Sequence, residues 1–252
     1  MPTALITGAT AGIGAEFARQ LAARGDDLVI VARDGARLAA TAAALQHEFG
    51  VRVEALPADL LDPEGLAAVD RRVADERRPI DLLVNNAGYG IQGELDETSW
   101  DDEKRLLDIH VTVPLHLMQT ALRGMLARGH GRVVLVASVA AFTPRGTYSA
   151  AKAWAVMVAR SANIVYRGRG VGVTAVCPGL VRTEFHDRMA VSTEGIPGFM
   201  WLQAPRLVRL ALRGIDRGRS VVIPTARYRV ISALARILPD RLVTVGRFRP
   251  SD

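Results

Sequence analysis

Short apolar runs recur along this chain, and each is followed by a longer stretch with helical character. "TALIT" (3–7), "LVIVA" (28–32), "VRVEAL" (51–56), "IDLLV" (80–84), "RVVLVAS" (132–138) and "VGVTAVC" (171–177) are nearly continuous in Val, Leu, Ile and Ala. A strand with one wet face alternates apolar with polar residues; these do not, so they read as strands covered on both faces. Helix-like stretches fall between them at 13–24, 36–48, 63–77, 99–128 and 148–167, and a seventh run, "SVVIP" (220–224), follows a helix at about 204–217. Strand–helix alternation of this kind predicts an α/β fold, a doubly wound parallel sheet of seven strands with helices on both faces. No break in composition and no internal repeat divides the chain, so residues 1–252 are expected to form one domain.

Composition agrees with a packed core: 49% of residues are apolar and 23% charged, unlike a disordered chain. No window is apolar for the 18 or more residues that a membrane span needs. Met1-Pro2 leads straight into "TALITG", without the basic region and apolar stretch of a signal peptide. One cysteine, Cys177, excludes an internal disulfide and fits a reducing, cytoplasmic setting. It ends an apolar run and is expected in the core. The net charge of +6 is mostly arginine, thickening after residue 205. There is no compact basic run interleaved with aromatics and no DNA- or RNA-module signature, so nucleic acid is not the expected partner. A basic surface that attracts a phosphorylated cofactor is the more economical reading, and no metal-ligand set stands out.

"TGATAGIG" (7–14) joins the first strand to the first helix. Its glycines let the backbone turn sharply and approach a pyrophosphate, and the helix start offers free N–H groups. The Gly-x-x-x-Gly-x-Gly spacing, with "NNAG" (85–88), "YSAAK" (148–152) and "PGLVRT" (178–183) in order behind it, resembles the short-chain dehydrogenases/reductases. The resemblance covers residues 3 to about 185 and implies a Rossmann-type fold binding NAD(P).

On that resemblance the cofactor-binding residues are Gly8, Thr10, Gly12, Ile13 and Gly14 in the first turn. Asp59 and Leu60 follow the third strand, and Asn86, Ala87 and Gly88 follow the fourth beside Asn85. Pro178, Gly179, Val181 and Thr183 follow the sixth, and Tyr148 and Lys152 hold the nicotinamide ribose. Ala32 stands where NAD-preferring members carry an acid, and Arg33 follows it. A carboxylate there would repel a 2′-phosphate, whereas a guanidinium binds it, so NADP(H) is expected over NAD(H). Asp34 reads as the N-cap of helix 36–48, and Asp62, before Pro63, as the cap of helix 63–77.

Tyr148 and Lys152 lie one helical turn apart on one face. A phenol of pKa near 10 is a poor base at neutral pH, and a lysine cation close by is expected to lower that value. As in the family, Tyr148 is then the acid–base group, Lys152 its partner, and Ser138, ending the fifth strand, the residue that hydrogen-bonds the substrate carbonyl. Two departures stand out. "TPRG" makes the Ser138–Tyr148 connection two or three residues shorter than the usual family form. His110 occupies the place of an asparagine that helps hold a relay water, and it can act by its ring, by its main-chain carbonyl, or not at all.

The predicted function is an NADP(H)-dependent oxidoreductase acting on a carbonyl or alcohol of a hydrophobic small molecule. The alternative, motivated by His110 and the short connection, is a nucleotide-binding sensor with an attenuated active site. Residues 184–203, with Phe185, Met189, Phe199, Met200, Trp201 and Leu202, are expected to close over the substrate. "AWAVMVA" (153–159) is apolar around the whole helix, which suggests cover by a second subunit in a homodimer or homotetramer. In the tail, 225–252, apolar residues from Val230 to Leu238 alternate with arginines; packing is favoured there over contact with a membrane surface.

Overall fold

The structure, a computed structural model, describes residues 1–182 and 197–239. From the N-terminus run β1 (Thr3–Thr7), α1 (Gly12–Ala22), β2 (Asp27–Ala32), α2 (Gly35–Phe49), β3 (Val53–Pro57), α3 (Pro63–Val73) and β4 (Leu82–Asn85). The second half holds α4 (Trp100–Leu107), α5 (Val113–Arg128), β5 (Gly131–Val136), α6 (Gly146–Tyr166) and β6 (Val171–Val176), then α7 (Ala204–Asp216), β7 (Val221–Val222) and α8 (Ala226–Ala235). All seven strands pair in parallel, in the order β3-β2-β1-β4-β5-β6-β7. The order reverses between β1 and β4, which opens a crevice at the carboxyl ends of those two strands.

Alternate residues of each strand enter opposite cores, as a two-residue side-chain period requires. Leu5, Val31, Leu83, Val133 and Val173 pack with Leu117, Met125, Val156 and Ala159 on one face. Ile6, Ile30, Val84, Val134 and Val176 pack with Phe17, Leu21, Leu38 and Leu212 on the other. That is why the apolar runs show no alternation. Full burial of a side chain such as Phe17 contributes about 1.5–3 kcal/mol. Cys177 is fully buried in the first core.

The caps fall where the sequence puts them. Asp34 accepts from Arg37 N (3.0 Å) and Asp62 from Gly65 N (2.9 Å), with Pro63 in the first turn. The expected helix 99–128 is interrupted. After α4 the chain makes a π-helical turn, Asp108–Thr112, before α5. Val113 N–H reaches back five residues to Asp108 O, and Pro114 has no N–H to give. The carbonyls of Ile109 and His110 therefore lose their α-helical donors. Among the described residues no helix is long and apolar enough to cross a membrane.

Candidate functional site

The crevice between β1 and β4 is bounded by main chain. Gly8 (φ 68°) and Gly12 (φ 56°) take left-handed conformations that side chains disfavour. A Cβ on Gly14 would stand 2.2 Å from Gly8 O and 2.4 Å from Asn86 Nδ2. Asn86 Nδ2 donates to Thr7 O (2.9 Å) and Gly8 O (3.2 Å), while Thr7 Oγ1 accepts from Asn86 N and Ala87 N. Asn86 thus fastens the glycine turn to the end of β4. Ala11 supplies no side-chain cap to α1, so the first-turn N–H groups remain available to an anion. Thr10 is half-buried beside them, and Ile13 packs on the core. Arg33 is exposed at the carboxyl end of β2, and Asp34 beside it is engaged as a cap. Asp59 Oδ1 accepts from Leu61 N (3.0 Å), and Leu60 is buried. Free amides, glycines without room for a Cβ and an exposed guanidinium form a donor set that fits a phosphorylated dinucleotide.

Across the crevice, the end of β5 and the start of α6 meet. Ser138 caps a short 3-10 turn, Val139–Phe142, accepting from Ala140 N (3.1 Å), and its side chain also hydrogen-bonds Tyr148. Lys152 Nζ donates to Val136 O (2.8 Å) and lies 5.5 Å from the Tyr148 ring centroid. The expected depression of the tyrosine pKa does not occur. Burial pushes Tyr148 up to about 12 against the pull of the Ser138 hydrogen bond. Burial also pushes Lys152 down to about 7, opposed by the Cys177 thiol. Desolvation is the largest cause of both shifts, and it disfavours the charged form of each group.

His110 is brought to the same place. Its ring meets that of Tyr148 edge-on, with centroids 5.4 Å apart and planes at 87°. Nε2 lies 2.6 Å from Tyr89 O; a carbonyl only accepts, so Nε2 carries the proton. Burial, followed by the charge of Lys152, holds its pKa down to about 3, so the ring is neutral at physiological pH. A Cβ on Gly88 would stand 2.2 Å from His110 Cε1, which makes that glycine a condition for the histidine. Beneath the ring is a cavity with room for about one water (10 Å³), lined by Asn85, Ile109, His110, Pro114, Val136 and Lys152 among others. Asn85 Nδ2 is buried there without a protein partner. Nothing in the motif "NNAG" separated this asparagine's task from that of Asn86.

The third wall comes from further along. Gly179 is overlain by Tyr228 of α8: a Cβ at 179 would stand 2.1 Å from the ring. The Tyr228 hydroxyl donates to Met200 O (2.8 Å) and accepts from Leu180 N (3.1 Å). Val181 and Leu202 form a parallel bridge, holding the end of the expected lid beside the Pro178–Gly179 segment. Sequence reasoning missed Tyr228, a lone tyrosine in an arginine-rich tail. Thr183, the stretch 184–196 with Phe185 and Met189, and tail residues 240–252 lie outside the described residues. Among the described residues no cluster of His, Cys, Asp and Glu could hold a metal.

Comparison with known proteins gives this geometry a context. A family model described as short chain dehydrogenase matches residues 2–192. The chain is 34% identical over 194 residues to the oxidoreductase UcpA of Escherichia coli, covering 75% of this chain and 72% of that one. It is 29% identical over 255 residues to the ketoacyl reductase HetN of Nostoc, covering 99% and 85%. A short-chain dehydrogenase from Sphingobium yanoikuyae, solved in complex with NADPH, superposes with a TM-score of 0.85 at 35% identity, covering 100% of this chain and 99% of its own. The bulky-bulky ketone specific alcohol dehydrogenase of Comamonas testosteroni gives 0.81 at 31%, covering 100% and 97%.

Proposed function

The chain belongs to the short-chain dehydrogenase family, and we propose that it is an NADP(H)-dependent oxidoreductase acting on the carbonyl or alcohol of a hydrophobic small molecule. The observation that carries the reading is the convergence of Ser138, Tyr148 and Lys152 beside the glycine turn. The nicotinamide, when bound, supplies or takes the hydride. Ser138 orients the substrate oxygen. Tyr148, protonated up to about pH 12, is already the acid that reduction needs, and gives its proton to that oxygen. Lys152, held at Val136 O, stands next to the one-water cavity, through which Asn85 and the freed carbonyls of the π turn connect it to a replacement proton. Oxidation runs the same groups in reverse and asks more of the site, since the phenolate must then be stabilised.

Several features support the finer parts of this reading. Ala32 and the exposed Arg33 favour a 2′-phosphate, as does the engagement of Asp34 elsewhere. Met200, Trp201 and Leu202 give the substrate side an apolar character. The outer face of α6 exposes Met157 and Ile164 (83%), a surface we assign to a second copy in a homodimer or homotetramer.

The test is oxidation of NADPH, with NADH in parallel, against apolar ketones, aldehydes and quinones. Turnover that favours NADPH is expected. Tyr148→Phe is expected to lower kcat by about 10²–10⁴-fold with the NADPH dissociation constant unchanged. Retained turnover in that variant would remove Tyr148 from the chemistry. Nucleotide binding without turnover on any member would favour the sensor.

A further inference from the structure

Arginines at the two ends of the strands have different partners. Near the amino ends of the strands they meet carboxylates: Arg52 pairs with Asp27, Arg72 with Glu54, and Arg132 with Asp216. Around the substrate side three others lie on aromatic rings instead. Arg182 is 5.5 Å from the Trp201 centroid, Arg227 is 5.2 Å from that of Phe199, and Arg236 is 4.3 Å from that of Phe142. All three are exposed, and none has a carboxylate partner among the described residues. Arg169 over Tyr166 repeats the stacking far from the site, so stacking alone is not the signal; its location is.

That location is set by α8. Its first turn is fixed to the lid side through Tyr228, and its far end reaches the turn that Ser138 caps, where Arg236 covers Phe142. The eight residue steps from Tyr228 to Arg236 span about 12 Å of helix. The charge of Arg236 is felt by the Cys177 thiol, which itself meets the Ser138 backbone. A guanidinium held over a ring still has N–H groups along its edge to give to another partner. Such an edge matches the two oxygens of a carboxylate or phosphate.

Resting on the oxidoreductase reading above, we propose that Arg236 anchors an anionic group of the substrate, a carboxylate or a phosphate, with Arg227 and Arg182 on the lid side adding to the same field. The substrate is then amphipathic: an apolar body beside Met200, Trp201 and Leu202, a carbonyl at Ser138 and Tyr148, and an acidic group at α8.

The test uses the NADPH complex of the full chain and three probes of one length: decanoate, decyl phosphate and methyl decanoate. Equilibrium titration at low salt is expected to show at least one anion binding about tenfold tighter than the neutral ester. That advantage should shrink as salt rises, because the site is exposed. Arg236→Gln should reduce it to less than about threefold, Arg236→Lys should keep part of it, and Arg236→Glu should reverse it. Arg229→Gln, at an exposed arginine of α8 with no stacking partner among the described residues, should leave it unchanged. Tighter decanoate identifies a carboxylate, and tighter decyl phosphate a phosphate. Equal binding of anions and ester, or a preference that survives Arg236→Glu, overturns the proposal. Turnover of 9-oxodecanoate and its methyl ester separates the two readings. Reduction of both at equal kcat/KM keeps the oxidoreductase and removes the anchor. Reduction of neither counts against the oxidoreductase, while the binding series still decides the anchor.

Discussion

Between Thr7 and Gly88 the site is held by main chain, whereas between Leu180 and Arg236 it is held by side chains. On the nucleotide flank, Gly8 and Gly12 turn the chain with positive φ, Gly14 leaves no room for a Cβ, and Asn86 ties the turn down through backbone oxygens. On the substrate flank, one phenol and three stacked guanidiniums join segments far apart in sequence. A wall of main chain suits a ligand whose shape is constant, because almost any substitution disturbs it. A wall of side chains can be rebuilt one residue at a time, which suits the part of the site that selects a substrate.

Substitution of a glycine on each flank gives the largest contrast. A methyl group on Gly14 meets the carbonyl of Gly8 at 2.2 Å, and backbone on that side cannot yield without undoing the turn. Gly14→Ala is expected to abolish nucleotide binding and to cost roughly 1–3 kcal/mol of stability or more. Gly198 has open space around its would-be Cβ and a backbone that any residue adopts. Gly198→Ala is expected to change stability by less than about 0.5 kcal/mol and to leave NADPH affinity intact. Titration calorimetry and thermal melts check both; equal tolerance at the two positions would break the contrast.

Lys152 stands at the seam of the flanks, and its burial makes a smaller prediction. Its pKa falls from 10.5 to about 7 on folding. Below pH 7 both folded and unfolded states hold the proton, and the folded state bears the full cost of a buried charge. As pH rises above 7 the folded lysine becomes neutral while the unfolded one stays charged, so stability rises. Cys177 and Tyr148, raised from 9.0 and 10.0, act with the opposite sign, but only above about pH 9. Denaturant titrations of the nucleotide-free protein should therefore gain about 1–2 kcal/mol between pH 7 and 9. Lys152→Met should remove that gain. A flat profile in the unsubstituted protein would show the lysine to be solvated.

What could be read in the sequence was local. The strands declared themselves by continuous apolarity, the glycine turn by its spacing, and Asp34 and Asp62 by standing at helix starts. The direction of the Tyr148 shift was misread because a four-residue spacing reveals proximity and says nothing of desolvation. Pro114 was visible, yet whether it merely starts a helix or opens a π turn depends on what packs around His110. Tyr228 was out of reach for a plainer reason: its two partners are 28 and 48 residues away, and no periodicity links them.

The smallest effect tests that last contact. Tyr228→Phe keeps the ring over Gly179 and removes only the hydroxyl, so Leu180 N and Met200 O lose a shared partner. Losing a satisfied buried hydrogen-bonding group costs about 1–2 kcal/mol. If the phenol only stabilises the fold, that loss appears in the melting temperature and kinetics are unchanged. If it holds the lid side of the substrate wall, the KM for a ketone rises several-fold while kcat and the NADPH dissociation constant stay near their original values. The second outcome is expected, because Met200 belongs to the segment that flanks the substrate and neither partner of the hydroxyl belongs to the glycine turn. A matching rise in the NADPH dissociation constant would mean that the two flanks are coupled through Gly179, and the division between them would have to be redrawn.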